Sequence, residues 1–203
     1  MMSVQNNGEQ LNDACFEGKY PSVRSLVRRG ASVDYQDENG WTPAIFCCVK
    51  GHSDILQFLL DQGANAELAN IAGWTPLIYA AWYNKYECAA VLVRHGVVLD
   101  AITVDGKTAL WFASMGGHLS TVQLLVQGGA DIDRANDDGE TPIVIAREQG
   151  HTAVVTYLGI EMTWQRRRNY ATMLNSLKGA PTKTPFLRVF QCYDVARLIG
   201  TYL

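Results

Sequence analysis

Residues 40–64 read GWTPAIFCCVKGHSDILQFLLDQGA, and residues 73–97 read GWTPLIYAAWYNKYECAAVLVRHGV, with glycine, Thr-Pro and a later glycine in the same places. The opening recurs as GKTA at residues 106–109 and GETP at residues 139–142, so the four copies stand 33 residues apart. A second glycine series keeps the same period: Gly30, Gly63, Gly96 and Gly129. Two signals in fixed phase indicate a chain built from stacked repeats.

Each unit carries the signals of two short helices. A threonine stands where its hydroxyl can cap a helix, and proline follows in three units at the first turn, where a missing N–H costs nothing. The capping threonines are Thr42, Thr75, Thr108 and Thr141. A Gly-His pair then predicts a turn, and apolar residues with a period of 3.6 predict a second helix that ends at the later glycine.

This pattern resembles the ankyrin repeat, whose unit has 33 residues and whose signature is T-P-L-H-x-A. The resemblance covers about residues 9–162. It implies an all-α fold, namely an ankyrin-repeat solenoid of about five helix pairs with short hairpin loops, followed by a C-terminal helical extension. We therefore predict a flexible N-terminus at residues 1–8, a repeat domain at residues 9–162 and a basic, amphipathic helical tail at residues 163–203.

The chain departs from the family signature at two positions. Apolar residues replace the histidine, so these positions are expected to be more apolar than in the family: Ile45, Ile78, Trp111 and Val144. Acidic residues stand where the family often has asparagine, which weakens the case for the asparagine hydroxylation known in the family: Asp34, Glu67, Asp100 and Asp133.

Signatures of catalysis and of metal binding are missing from the sequence. It contains no Gly-rich phosphate loop, no H-E-x-x-H and no G-x-S-x-G. His52, His118 and His151 occupy equivalent places in successive units, which favours turn stabilisation over a metal site with one centre. The five cysteines are odd in number and lack C-x-x-C spacing, so we expect buried free thiols. We predict no enzyme, no catalytic residue, no metal and no cofactor.

Composition narrows the location and the class of partner. The chain is 48% hydrophobic, yet no apolar run approaches the length that spans a bilayer, and the polar N-terminus lacks the apolar region of a secretory signal. We predict an intracellular protein, cytoplasmic or nuclear. The net charge of −3, with basic residues concentrated in the tail, argues against a nucleic-acid partner. No small-molecule substrate is expected.

In ankyrin proteins, partners usually bind the concave face, formed by the hairpin tips and the exposed side of the first helices. Here the matching positions are aromatic in the N-terminal half and acidic at the C-terminal end. We predict a non-enzymatic protein-interaction module whose aromatic concave face binds a partner, because exposed aromatic patches mark interaction sites. Packing of the rings against loops or the chain's own tail is the alternative. The predicted partner-binding residues are Trp41, Val49, Ile71, Trp74, Trp82, Tyr83, Lys107 and Met115.

The tail differs from the repeats in charge. Residues 163–203 carry seven Lys or Arg against one acid, whereas the preceding residues carry ten basic and nineteen acidic residues. The final segment faintly resembles an F-box, and ankyrin proteins also occur with SOCS boxes; either resemblance implies an adaptor subunit of a ubiquitin ligase. A small structural subunit of a large assembly and a cap on the last repeat are the alternatives. The predicted tail-binding residues are Phe190, Val195, Leu198, Ile199 and Tyr202.

Overall fold

Short helices make up nearly all the regular structure of the repeats. The computed structural model describes residues 2–163, with side chains from residue 7 onward; ten helices and no strand occur in this range, which confirms the all-α class. The helices are α1 (Met2–Glu17), α2 (Tyr20–Arg28), α3 (Pro43–Lys50), α4 (Ser53–Asp61), α5 (Pro76–Trp82), α6 (Tyr86–His95), α7 (Ala109–Met115), α8 (Leu119–Gly128), α9 (Pro142–Glu148) and α10 (residues 152–163).

The helices stack as pairs in chain order. Helix α3 packs on α4 and α5 on α6, and the first helices of successive pairs pack side by side from α1 through α3, α5 and α7 to α9. The predicted solenoid of five helix pairs is therefore confirmed, with each unit buried mainly against its neighbours. Longer connections join the pairs, and we name them hairpins 1 to 4: residues 29–42, 62–75, 96–108 and 129–141.

Threonine fixes the start of the first helix in three units. The side-chain oxygens of Thr42, Thr75 and Thr108 each accept the backbone N–H three residues ahead, at 3.2, 3.3 and 3.1 Å. This bond satisfies one of the N–H groups that a helix leaves unpaired at its start. Thr141 precedes α9 in the same extended conformation, but its side chain accepts no such bond.

Small and apolar side chains fill the space between the units. Ile45, Ile78 and Trp111 are at most 5% exposed, which confirms the expected apolar character where the family has histidine. Val144, the fourth such residue, is half-buried. The indole N–H of Trp111 is buried and has no hydrogen-bond partner among the described residues.

The cysteines of the repeats are buried free thiols, as expected. Cys15, Cys47, Cys48 and Cys88 are all buried and unpaired. Burial raises the pKa of the Cys47 and Cys48 thiols well above the ordinary value, so both stay protonated and unreactive near neutral pH. Their role is to fill a core position with a small side chain.

The predicted domain bounds lie near the two ends of the chain. Helix α1 begins at Met2 and so includes most of residues 1–8, for which we predicted a flexible N-terminus. Within the described range, no helix is both long and apolar enough to cross a membrane. The predicted tail helices and the tail-binding residues Phe190, Val195, Leu198, Ile199 and Tyr202 lie outside the described residues, as does Cys192. The domain bounds remain predictions.

Candidate protein-binding surface

Backbone hydrogen bonds join the tips of the hairpins into one row. The N–H of Ile71 in hairpin 2 donates to the carbonyl oxygen of Asn39 in hairpin 1, at 3.0 Å. Val104 and Asp137 repeat this bond to the residue 32 positions earlier, at 3.1 and 3.2 Å. Each bond crosses from one unit to the next, so the four tips lie side by side in chain order.

Side-chain oxygens at one repeated position shape each hairpin. Asp37, Asn70 and Asn136 accept the backbone N–H groups two and four residues ahead, at 2.8 to 3.1 Å. Thr103 accepts only the second of these, at 3.2 Å. Their 33-residue spacing is a readable signal in the sequence, but the T-P-L-H-x-A signature does not include this position. They hold the tips in a fixed conformation, as Asx turns do.

The acidic series at the family's asparagine position has a structural role. The carboxylates of Asp34, Glu67 and Asp100 accept a backbone N–H from the next unit, at 2.8, 2.7 and 3.0 Å. A charged acceptor makes a stronger hydrogen bond than a neutral one. These acids therefore join neighbouring hairpins.

The three histidines also connect the units. The ring Nε2 atoms of His52, His118 and His151 lie 3.3, 3.3 and 2.9 Å from the carbonyl oxygen 36 residues earlier. Burial lowers the pKa of His118, and the positive charge of nearby His151 adds to this, while the hydrogen bond to the Trp82 carbonyl opposes it. Each contact joins the turn of one unit to the end of the first helix of the preceding unit. No group of side chains in the described range could hold a metal ion.

Aromatic rings of successive units form a continuous series of contacts. Trp41 lies between Phe46 of its own unit and Tyr79 of the next, with ring centroids 5.2 and 4.9 Å away. Trp74 repeats the arrangement between Tyr79 and Phe112, at 5.0 and 4.5 Å. Pairs of this kind add about 0.5–1.5 kcal/mol beyond the burial of their area. We name these five rings the aromatic ladder.

Two further rings rest on the aromatic ladder and still face solvent. Trp82 packs edge-on against Trp74 and Phe112, at 5.6 and 5.0 Å, and remains 37% exposed. Tyr83 stacks parallel to Tyr79 at 6.3 Å and is 45% exposed. Both rings are therefore held in place by neighbouring rings and remain available for contact.

The structure divides the predicted partner-binding residues by exposure. The exposed members are Ile71, Trp82 and Tyr83; the half-buried members are Trp41, Val49, Trp74, Lys107 and Met115. Trp41 and Trp74 both contact the ring of Tyr79. Val104, which the prediction left out, is an exposed apolar residue in hairpin 3. The Lys107 ammonium lies 4.9 Å from the centre of the Trp111 ring and 3.8 Å from the Asp105 carboxylate.

The fold and the repeated contacts define a class of protein, and comparison with known proteins agrees. The family model for ankyrin repeats (3 copies) matches residues 11–102 and 92–163. The chain belongs to the ankyrin-repeat family, whose repeats act as protein-interaction modules.

Two similar proteins carry the name protein phosphatase 1 regulatory subunit 27, one from Mus musculus and one from Homo sapiens. Each is 40% identical over 45 residues, which is 22% of this chain and 29% of the relative. The match therefore spans less than a third of these relatives. Because the match covers so small a part of each protein, it identifies no common partner.

Proposed function

We propose that this chain is a non-enzymatic protein-interaction module and that it binds its partner through an apolar face on the third and fourth units. The apolar face consists of Ile71, Trp82, Tyr83 and Val104. Support comes from the family, whose repeats bind other proteins, and from the position of these side chains on hairpin tips and at the end of a first helix.

Exposure and rigidity together favour this surface. Ile71 and Val104 are 74% and 68% exposed at neighbouring tips, and grouped exposed apolar side chains mark interaction sites more often than single ones do. Trp and Tyr are frequent among the residues that dominate binding energy. The observation that carries the proposal is that Trp82 and Tyr83 are exposed but already fixed by ring contacts, so binding loses little side-chain entropy.

The half-buried rings have a different role under this proposal. Trp41 and Trp74 each bridge two units through the aromatic ladder, so removing either ring weakens the stack. We assign them to stability and to support of the exposed rings. Binding measurements on their alanine variants are therefore read together with a measurement of unfolding.

The proposal is tested by capturing partners with the full chain, purifying one that binds directly, and comparing variants by calorimetry. Trp82→Ala and Tyr83→Ala are expected to weaken binding by about 2 kcal/mol or more, as for central hot-spot residues. Tyr86→Ala is the matched control, because Tyr86 is 41% exposed at the start of α6, outside the apolar face. Wild-type affinity in both Trp82→Ala and Tyr83→Ala would contradict the proposal.

A further inference from the structure

The four hairpin tips present an ordered series of side chains. Equivalent positions, 33 residues apart, hold an acid, two apolar residues and an acid: Glu38, Ile71, Val104 and Asp137. The backbone bonds between neighbouring tips place these four residues in one row in that order. Asp138 follows directly and adds a second carboxylate at the C-terminal end of the row.

The carboxylates at the two ends of the row are not used in hydrogen bonds or ion pairs within the described residues. Glu38, Asp137 and Asp138 are exposed, and their carboxylates accept no hydrogen bond and form no ion pair among residues 7–163. They differ in this from Glu67, whose carboxylate accepts a backbone N–H of the next unit. The basic residues of the hairpins occupy other positions, and one of them, Lys107, is already paired with Asp105.

The spacing of the tips limits the shape of a matching ligand. Packed helices lie about 8–10 Å apart, so four successive tips span about 25–30 Å. A polyproline II chain places side chains on the same side every three residues, about 9 Å apart. A β-strand would turn residues three apart to opposite sides. The N–H groups of Ile71, Val104 and Asp137 already donate to the preceding hairpin, so they cannot pair with a ligand strand. A ligand would therefore be recognised through the side chains of the row.

We infer that the partner's docking segment is an extended chain of the form Lys/Arg-x-x-Φ-x-x-Φ-x-x-Lys/Arg, where Φ is a large apolar residue. This rests on the proposed function and narrows its partner class. The two apolar side chains cover Ile71 and Val104, and the basic residues at the ends pair with Glu38 and with Asp137. Opposite charges at the rim fix the register and speed association, while the apolar centre supplies most of the affinity.

A random twelve-residue peptide library displayed on phage tests the inference. It is selected on the full-length chain and counter-selected on the double variant Ile71→Ser, Val104→Ser. The expected result is enrichment of peptides with two apolar residues three positions apart and Lys or Arg three positions outside them. Affinity of a synthetic copy is expected to fall as salt rises, because exposed charge pairs are screened.

Charge reversal then tests the ends of the row one at a time. Glu38→Lys and Asp137→Lys are each expected to weaken binding of the selected peptide by up to about fivefold, the upper end of the effect of losing one exposed ion pair. Asp61→Lys is the matched control, since it makes the same charge change at an exposed residue that ends α4. Of two peptides that each carry Glu in place of one terminal basic residue, one is expected to prefer the Asp137→Lys variant over the wild type and the other the Glu38→Lys variant.

The outcomes separate the inference from the proposed function. Selected peptides that lack basic residues but lose binding on the Ile71→Ser, Val104→Ser variant would overturn the inference and leave the apolar face intact. In a parallel selection without the counter-selection step, peptides that bind this double variant and Trp82→Ala as they bind the wild type would contradict both. Absence of any enrichment over the counter-selected variant would also overturn the inference. The melting temperatures of the tip variants are expected to match the wild type because the tips are exposed, which would show that these substitutions leave folding unaffected.

Discussion

The third and the fifth repeat share an opening motif and use it differently. The third begins GWTP and the fifth GETP. Thr75 accepts the backbone N–H three residues ahead at 3.3 Å, whereas the side chain of Thr141 accepts none. Trp74 packs against three rings, whereas Glu140, at the equivalent position, accepts a bond from the Asn136 side chain at 2.9 Å.

The comparison separates the residues of the motif that maintain the fold in every repeat from the residue that differs between repeats. Glycine and threonine set the backbone of the hairpin and the start of the helix. The residue between them serves neither purpose, so its type can vary. It carries a ring in the second and third units and a charge in the fifth. The chain thereby changes its surface from aromatic to acidic without changing its architecture.

The largest expected effect is on stability at this variable position. Trp74→Ala removes contacts to Tyr79, Trp82 and Phe112 and should lower the free energy of unfolding by about 2–4 kcal/mol, near the low end for buried aromatics because the ring is half-buried. Glu140→Ala should cost less than about 1 kcal/mol. Urea unfolding of the full chain measures both. Equal losses would remove the contrast between the two repeats.

A smaller difference is expected at the capping threonines. Thr75→Ala deletes a formed helix cap and should cost about 1 kcal/mol, whereas Thr141→Ala, where no such bond exists, should cost a few tenths. Thr75→Ser keeps the acceptor oxygen and serves as the control for the loss of the cap. A cost at Thr141 equal to that at Thr75 would mean that the fifth repeat is capped in solution.

The smallest expected effect is a pH dependence carried by His118, which joins the third repeat to the fourth. Burial lowers its pKa in the folded chain, so near pH 6 the unfolded chain binds more protons at this residue than the folded chain does. This contribution to stability is complete above pH 6.5 and decreases as the pH falls below that value.

The effect of His118 is measured as a difference between two proteins. Between pH 7.5 and pH 5.5, the melting temperature of the wild type should fall further than that of His118→Asn, because only the wild type protonates a partly buried imidazole in this range. The variant keeps a polar side chain but does not titrate in this range. An identical fall in both proteins would contradict the assignment.

The sequence by itself determined the architecture, because a solenoid unit packs mainly on its neighbours and its 33-residue period therefore contains most of the fold. The positions of glycine and threonine predicted the helix starts correctly at Thr42, Thr75 and Thr108. Three of the four apolar replacements for histidine are buried, as are the four cysteines of the described residues, whereas Val144 is half-buried. Each of these predictions depends on local backbone geometry or on the hydrophobicity of one side chain.

Tertiary structure alone decided how the equivalent side chains meet across units. Phe46, Tyr79 and Phe112 recur with the same 33-residue period. Tyr79 and Phe112 join the aromatic ladder because the tryptophan of the preceding unit contacts each of them, and this contact is seen only in the structure. The same contacts leave Trp74 half-buried and Trp82 exposed, although both are tryptophans of one repeat. Exposure and contact depend on the distance between atoms of different units, and the order of residues within one unit does not contain that distance.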